Sequence, residues 1–330
     1  MPEIKPRRMP LIFWKTLLIC MLALGISGCT VFEIHLIPPP SPLKEKVLSG
    51  EGRTKVLLLE VSGLISNQKS SSMLSAKEEQ GMVARIREAL NKAEQDDDVR
   101  AILLSINSPG GTVTSSDIIY HEIQSFKEKN NVKVYAQIMD LAASGGYYVA
   151  QAADKIVAHP TSITGSIGVI TLKLNLKGLM DKVGVDFEVV KSGDKKDFLS
   201  PFRALTDEER ALFQAAIDDM HDRFVEVITK NRRHLSEAQV RKLADGRVFT
   251  ANQALEAKLI DHIGYLDDTQ GIIKKDLALR DFQLVTYHRA GEYKDNIYSL
   301  LEAPSINMVN FDFNFLPKTP EPQFLYLWIP

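Results

Sequence analysis

A serine stands among small residues in the stretch 142–148, AASGGYY. At the start of a helix such a serine can expose its hydroxyl, and the N–H of Gly145 would lie beside any oxyanion that forms when the hydroxyl attacks a carbonyl. The alternative role is local, because serine is also a favoured N-cap residue. Ser144 is therefore a candidate nucleophile, and its assignment depends on finding a base and further oxyanion donors.

Two adjacent glycines follow a predicted buried strand in the stretch 108–111, SPGG. Glycine has no Cβ, so backbone N–H groups in this stretch can point into a cleft and serve as oxyanion donors. The same residues also suit an ordinary turn. Taken alone, the stretch does not distinguish the two roles.

A serine nucleophile needs a base, and the histidines do not supply an evident one. The chain has seven histidines, and none stands in a local context typical of a general base. The stretch 191–197, KSGDKKD, offers lysines instead. A lysine base must be neutral, which requires apolar surroundings that lower its pKa from the usual value of ~10.4. A solvated, charged loop is the alternative interpretation of this stretch.

Together with the stretch 164–169, TGSIGV, these segments occur in an order that resembles the signal peptide peptidase A family of Ser–Lys proteases. The resemblance covers roughly residues 55–270 and implies a Clp-protease/crotonase-like fold. It also implies that Ser144 is the nucleophile. The lysine of the S-G-x-x-K segment is the implied general base, which selects Lys196 and leaves Lys195 as a neighbour.

The resemblance further assigns the groups around the dyad. Gly111 and Gly145 are the implied oxyanion donors, and Ser166 is implied to hydrogen-bond the lysine and orient its amine, as the third member of a triad orients histidine. The lysine would take the proton from Ser144 and later protonate the leaving amine. This mechanism requires no metal and no cofactor.

Substrates and assembly follow from the same resemblance. The family degrades cleaved signal peptides, so we expect peptide substrates, chiefly signal-peptide remnants and other small or unfolded peptides. Its members assemble into rings or domes, so we expect a homo-oligomer. The length of 330 residues fits the short form of the family, with one catalytic unit per chain.

The first thirty residues indicate export. A positive flank precedes an apolar run at 17–26, and small residues then lead into Cys29, a pattern typical of a signal peptide. Its ending is similar to the lipobox of bacterial lipoproteins, in which the cysteine carries the lipid. The alternative is an uncleaved membrane anchor, although the run is short against the roughly 20 residues of a spanning helix. In both cases we expect an extracytoplasmic protein of the cell envelope, held at a membrane.

Composition and periodicity indicate the remaining organisation. Residues 1–28 are the predicted signal peptide, 29–52 a proline-rich tether, 53–288 the protease domain and 289–330 an aromatic tail. The tail has no helix or strand long enough to bury its own aromatic side chains. We therefore expect it to pack on a partner subunit, a groove or a membrane surface.

Alternating strand and helix patterns predict an α/β fold with a mainly parallel sheet and a helical C-terminal part. Strands are predicted at 55–61, 100–106, 133–138, 155–158 and 187–190, and helices at 75–95, 115–129, 141–153, 206–231, 236–244 and 250–258. Capping boxes are predicted at two of the helix starts, formed by Ser75 with Glu78 and by Thr206 with Glu209.

Composition excludes some classes of function, and two alternatives to a Ser–Lys protease stay open. A net charge of -2 provides no basic surface for nucleic acid. The only cysteines, Cys20 and Cys29, precede the body, so it has no thiol nucleophile and no thiolate metal site. A crotonase-type enzyme would share the fold and a glycine oxyanion hole, but an exported protein does not meet cytosolic acyl-coenzyme A. A catalytically silent scaffold on this fold is the second alternative.

Overall fold

In a computed structural model of the chain, the described residues are 41–67, 70–71, 78–289 and 324–329. The chain divides into two compact units, Met1–Pro42 and Leu43–Pro330. The predicted signal peptide, the lipobox with Cys29 and the first part of the tether lie outside the described residues. Within the described part, no helix combines the length and the apolarity needed to cross a bilayer.

Strands and helices alternate along most of the second unit. The strands are β1 (Lys44–Ser49), β2 (Lys55–Ser62), β3 (Ser70–Ser71), β4 (Glu78–Glu79), β5 (Val99–Ser108), β6 (Gly110–Thr112), β7 (Lys133–Ala143), β8 (Lys155–Ala158), β9 (Ile163–Gly165), β10 (Val248–Thr250), β11 (His262–Ile263), β12 (Gln283–His288) and β13 (Leu325–Leu327). The helices are α1 (Met82–Ala93), α2 (Val113–Asn130), α3 (Gly145–Ala150), α4 (Lys177–Val183), α5 (Asp207–Asn231), α6 (Glu237–Leu243), α7 (Ala251–Glu256) and α8 (Leu266–Asp276).

A nine-stranded sheet lies at the centre, in the order β1-β12-β2-β5-β7-β8-β11, with β9 beside β7 and β10 beside β9. Neighbours from β12 to β11 are parallel, and β9 is parallel to β7. Strands β1 and β10 are antiparallel to their partners. The predicted α/β fold with a mainly parallel sheet is confirmed. Because parallel strands end at the same edge of a sheet, the segments that follow β5, β7 and β9 meet there.

Both faces of the sheet are covered, which explains why its central strands are continuous apolar runs. Alternate residues of a strand point to opposite faces, so Leu57 and Leu104 belong to one apolar cluster and Val56 and Leu103 to another. Helices α1, α2, α3 and α5 contribute to the first cluster, and α8 contributes to the second. The sheet is therefore a rigid layer that carries the loops of the candidate site.

Two predicted segments near the N-terminus differ in the structure. Lys44–Ser49, inside the predicted tether, form the edge strand β1 and pair with β12. The helix predicted from residue 75 begins only at Met82, because Glu78–Glu79 form β4 opposite Ser70–Ser71. The apolar spacing of the helix starts at Met82, so the earlier start was wrong; Ser75 itself lies outside the described residues.

Two further predictions fail around the site. The helix predicted over 141–153 is only six residues long, α3. The preceding residues Leu141–Ala143 instead extend β7 and pair with β9. The strand predicted at 187–190 is not regular structure, and among the described residues no strand pairs with it.

The end of the tail packs on the chain itself. Strand β13 pairs antiparallel with β6, so that Tyr326 stands opposite Gly111. Tyr326 is fully buried. Of the three surfaces expected for the tail, its described residues 324–329 occupy a groove, and this groove belongs to the same chain.

Candidate active site

Ser144 lies in the turn between β7 and α3. Its backbone has φ +53° and ψ −114°, a conformation that costs a residue with a side chain about 1–3 kcal/mol. The turn is held because the Ser144 N–H donates to the Gly165 carbonyl at 2.7 Å and the Ser144 carbonyl accepts from the Tyr148 N–H at 2.8 Å. The hydroxyl makes no capping hydrogen bond. Ser144 is thus the N-cap residue of α3 by position, but its hydroxyl does not cap the helix.

Ser166 stands beside Ser144 because β9 runs parallel to β7 with Gly165 opposite Ala143. Its φ is +50°, and its N–H donates to the Arg247 carbonyl at 2.8 Å. The Ser144 hydroxyl donates to the carbonyl of Gly168 at 3.5 Å, in the same loop. The sheet thus brings together the two serines that the sequence singles out.

The glycine loop, residues 109–111, leads from β5 into β6 and lies against the start of α3. Gly110 has φ +100°, and its N–H donates to the Ser108 hydroxyl at 3.0 Å. A Cβ at Gly110 would overlap the carbonyl oxygen of Tyr326 and lie 2.7 Å from the Gly145 nitrogen. The two predicted oxyanion residues, Gly111 and Gly145, therefore border the same short stretch of the tail strand.

Substitution of Gly110 tests whether activity requires the close approach of its backbone to the tail strand and to Gly145. We expect Gly110→Ala to lower kcat/KM for peptide hydrolysis by at least about 10²-fold, because the added Cβ would lie 2.7 Å from the Gly145 nitrogen and would displace an implied oxyanion donor, whose loss costs about that much. The added Cβ would occupy the place of a peptide carbonyl oxygen. Gly63→Ala is the matched control, because Gly63 also has a positive φ but has open space around its Cβ position. An equal loss in both variants would show that backbone strain alone causes it.

Among the described residues, no hydrogen bond joins Ser144 to a histidine. The ring nitrogens of the histidines with polar contacts bond elsewhere: His121 to Ser125, His159 to Thr161, His221 to Ala244, His234 to Lys258 and His288 to Arg289. The described part of the chain also has no group of three or more His, Cys, Asp or Glu residues that could hold a metal ion.

Lys196 does not lie where the sequence predicts. It is exposed in the single chain, and within the described residues its ammonium makes no hydrogen bond or ion pair. Its neighbour Lys195 pairs with Glu208. The apolar surroundings expected for the base are therefore wrong for this chain taken alone, because the loop that carries Lys196 faces solvent.

Arg203 ties the Lys196 loop to the start of α5. Its guanidinium donates to Asp197 at 2.9 and 3.0 Å and to Glu209 at 2.6 and 2.8 Å. Glu209 also completes the predicted capping box with Thr206, which is confirmed. The backbone next to Lys196 is thus fixed to a long helix, although the lysine side chain is exposed.

The pH dependence of stability tests whether the hydrogen bonds of Arg203 to Glu209 anchor the Lys196 loop to α5. The Arg203 hydrogen bonds lower the pKa of Glu209 from 4.5 to about 2. A lowered folded-state pKa stabilises the fold above the unfolded value, and that contribution is lost as pH falls from about 4.5 through about 2. We expect the Tm difference between wild type and Glu209→Gln to be constant above pH ~5 and to close on acidification. A Tm difference that does not change with pH would contradict a stabilising ion pair between Arg203 and Glu209.

Sequence reasoning missed two residues that shape the cleft through their backbones. The Ile65 N–H donates to the Gly110 carbonyl at 2.8 Å, and the Ile65 carbonyl accepts from the Thr112 N–H at 2.9 Å. Ile170 exchanges two hydrogen bonds with Leu325, at 2.9 and 3.0 Å. Many side chains can serve at such positions, so the residue type carries no signal.

Comparisons with known proteins place the chain among peptidases. The model of peptidase family S49 matches residues 126–280, and that of Clp protease matches residues 62–164. An Enterococcus faecium protein named after signal peptide peptidase SppA is 38% identical over 244 residues, 74% of this chain and 70% of that protein. Protease 4 of Haemophilus influenzae is 30% identical over 92% of this chain, which corresponds to 51% of that protein. The chloroplastic serine protease SPPA of Arabidopsis thaliana is 32% identical over 68% of this chain and 32% of its own length.

These matches extend across the segments that hold Ser144, Ser166 and the Lys196 loop. The resemblance inferred from the motifs is confirmed. The chain belongs to peptidase family S49, the family of signal peptide peptidase A.

Proposed function

We propose that the protein is a serine endopeptidase that hydrolyses peptides with a Ser–Lys dyad, Ser144 and Lys196. The observation that carries the proposal is the placement of an extended peptide strand, β13, against the turn of Ser144. The N–H of Gly145 and the glycine loop border the same strand. A nucleophile, backbone donors and a bound peptide backbone in one cleft are the parts that acyl transfer needs.

The proposed mechanism takes the roles that the family resemblance implies for these residues. The Ser144 hydroxyl gives its proton to the Lys196 amine and attacks the scissile carbonyl. The N–H groups of Gly111 and Gly145 stabilise the tetrahedral oxyanion, and Lys196 then protonates the leaving amine. Water hydrolyses the acyl-enzyme, and Ser166 accepts from the amine and orients it. No step calls for a metal or a cofactor.

We further propose that Lys196 reaches Ser144 from a second copy of the chain. In the single chain the lysine is exposed, and Arg203 fixes its loop to α5. A loop held in this way is suited to enter a neighbour's cleft, where contact with the neighbour would bury the amine. Burial is what a lysine base requires.

An apolar surface next to this loop supports the proposed assembly. Large apolar side chains are exposed along residues 172–190: Leu172, Leu174, Leu179, Val183, Val185, Phe187, Val189 and Val190. Exposed apolar surface of this density indicates a protein interface. Because the surface and the Ser144 cleft are different parts of the chain, the contact would be heterologous, and such contacts generate a ring when the rotation between neighbours closes.

Location and substrate class complete the proposal. The signal peptide and lipobox pattern at Cys29 favour an extracytoplasmic protein that is held at a membrane by lipid, with an uncleaved anchor as the alternative. A membrane-held peptidase of this family would meet signal-peptide remnants and other small or unfolded peptides. An extended groove that binds backbone accepts such chains more readily than folded proteins. The same groove gives no support to an acyl-coenzyme A substrate.

Hydrolysis of an unfolded fluorogenic peptide by the full-length protein in detergent tests this function. We expect turnover by wild type and none by Ser144→Ala. Ser125→Ala, on the exposed face of α2, is the control and should match wild type. Wild-type turnover in Ser144→Ala would contradict the assigned site, whereas a correctly folded wild type without turnover would favour the silent scaffold.

A further inference from the structure

Ser108 ends β5 and stands directly before the glycine loop. Its side chain is fully buried. The hydroxyl donates to the Gly63 carbonyl at 2.6 Å and accepts from the Gly110 N–H at 3.0 Å. Because a serine hydroxyl carries a single proton, that proton is used within the chain and is not available to a substrate. Ser108 therefore joins the glycine loop to the segment that follows β2.

The segment that follows β2 provides a fixed anchor for this hydroxyl. The Gly63 N–H donates to the Asn107 carbonyl at 2.9 Å, which continues the pairing of β2 with β5 by one residue. Two residues further along, the Ile65 N–H donates to the Gly110 carbonyl at 2.8 Å. The acceptor for Ser108 is thus a backbone carbonyl that is held at the edge of the sheet.

Hydrogen bonds on this side of the loop determine which N–H group faces the groove. Pro109 has no N–H, and the Gly110 N–H is held by the Ser108 hydroxyl. The Thr112 N–H, just after the loop, donates at 2.9 Å to a carbonyl of the anchoring segment. Since successive N–H groups of a strand point to opposite sides, the Gly111 N–H points away from that segment and into the groove.

The two glycines do not select this conformation by themselves. Gly110 has φ +100°, but glycine reaches many other backbone conformations at similar free energy. A buried N–H without a partner is costly, so the Ser108 hydroxyl favours the conformation in which the Gly110 N–H reaches it. Fixing this peptide plane also fixes the next one, which carries the Gly111 N–H. A donor that is held in place beforehand needs no reorganisation during the reaction.

Ser108 also touches the other side of the implied oxyanion site. A Cβ at Gly146 would lie 2.8 Å from the Ser108 carbonyl oxygen and 3.4 Å from the Ser108 Cβ. The second residue of α3 therefore packs closely against Ser108, and the first residue of α3 is Gly145, the other implied donor. Ser108 thus lies between the two backbone segments that carry the implied donors.

We propose that Ser108 is a positioning residue of the oxyanion site. Its hydroxyl holds the glycine loop so that the Gly111 N–H points at the carbonyl oxygen of the bond that Ser144 attacks. The proposal rests on the proposed peptidase function and adds a residue that acts through Gly111 without touching the reacting atoms. Loss of the hydroxyl should therefore slow the chemical step and leave peptide binding almost unchanged.

Removal of the hydroxyl tests the proposal in the full-length protein. Ser108→Ala is expected to lower kcat for a fluorogenic peptide about 10- to 10²-fold, less than the loss of a whole oxyanion donor. KM should change by less than about twofold, because the peptide makes the same contacts in the ground state. A wild-type kcat in Ser108→Ala, or a loss that falls on KM alone, would overturn the proposal.

Ser162→Ala is the matched control. Ser162 is also buried, and its hydroxyl donates to backbone carbonyls, at 3.2 Å to that of Ile138, but it has no hydrogen bond to the glycine loop. Both variants should lower Tm by a similar amount, whereas only Ser108→Ala should lose kcat per folded molecule. Equal losses of kcat would show a general effect of a lost buried hydrogen bond and would overturn the positioning role.

Ser108→Cys is the conservative variant. A thiol keeps the shape of the side chain but is a weaker donor and acceptor than a hydroxyl. Its kcat should lie between those of wild type and Ser108→Ala, and it carries the test if the alanine variant does not fold. A kcat for Ser108→Cys below that of a folded Ser108→Ala would contradict a role for the hydrogen bonds.

A peptide aldehyde separates positioning from damage to the fold. The Ser144 oxygen adds to the aldehyde carbon, and the resulting tetrahedral oxygen takes the oxyanion position. In Ser108→Ala the Ki of the aldehyde should rise by about the factor by which kcat/KM falls. The Ki of the matching peptide alcohol, which has no carbonyl to attack, should stay within about twofold. Equal changes in the two Ki values would overturn the proposal.

Hydrogen–deuterium exchange distinguishes this inference from the proposed function, because it needs no activity. In Ser108→Ala, fragments that span the glycine loop should exchange about tenfold faster or more, since the Gly110 N–H loses its partner. Ser162→Ala should leave that exchange unchanged. Faster loop exchange in Ser108→Ala, with a wild type that has no turnover, would retain the loop contact and refute the peptidase. Wild-type turnover, with loop exchange unchanged in Ser108→Ala, would retain the peptidase and refute the positioning role.

Discussion

Replacing Lys196 with methionine is expected to lower kcat/KM for peptide hydrolysis by at least about 10³-fold. Methionine keeps most of the length and apolar volume of the side chain but has no amine to accept the Ser144 proton. The effect should fall on kcat more than on KM, because Lys196 acts on the hydroxyl and not on the peptide. Steady-state hydrolysis of a fluorogenic peptide measures both parameters.

Lys195→Met is the matched control for this prediction. The two lysines are adjacent, and Lys195 pairs at the surface with Glu208, an interaction of at most about 1 kcal/mol. We expect the control to keep near wild-type turnover. Equal losses in the two variants would show that the charge of the loop matters and that neither lysine is the base.

Co-assembly of two inactive variants is expected to restore activity. If Ser144 of one chain works with Lys196 of the next, an oligomer mixed from Ser144→Ala and Lys196→Met chains contains some sites with both native groups. Random mixing in a closed ring makes that fraction about one quarter of the sites. The measurement is the specific activity of oligomers purified after co-expression with two different affinity tags.

The control for this mixture replaces the Lys196→Met chain with the double variant Ser144→Ala/Lys196→Met. That mixture has no native Ser144 at any site, so it should stay inactive. Mixed oligomers of the two single variants without activity would show that Lys196 serves its own chain, which would require the loop to move toward Ser144.

Local signals predicted much of the fold. The capping box of Thr206 and Glu209 predicted the start of α5, and the structure confirms both the box and a helix ending at Asn231. The continuous apolar run at 100–106 predicted the buried centre of β5. These features depend on residues that are close in sequence, so the pattern alone carries them.

Features that depend on distant pairing were not predictable. Residues 141–143, LAA, indicate a turn or helix, yet they pair with β9 and extend β7. Residues 187–190, FEVV, indicate a strand, yet no strand in the described part of the chain pairs with them. The tail strand β13 pairs with β6, which lies more than 200 residues earlier in the sequence. No local sequence pattern indicates that pairing.

The residues of the candidate site also differ in how far the sequence could predict their positions. Parallel pairing of β7 and β9 brings Ser144 and Ser166 together, and the glycine loop meets Gly145 at the same sheet edge. Motif order therefore selected segments that the sheet brings to one edge, and the catalytic roles of their residues stay predictions. Lys196 lies on a loop outside the sheet, so sheet topology does not place it.

Covalent labelling of the full-length protein with a fluorophosphonate, which reacts with activated serine nucleophiles, tests the dyad most directly. Intact mass and peptide mapping should find one adduct per wild-type chain, on Ser144. Ser144→Ala should take no adduct, Lys196→Met should react far more slowly, and Lys195→Met should react like wild type. An adduct on another residue, or an undiminished labelling rate in Lys196→Met, would contradict the Ser144–Lys196 mechanism.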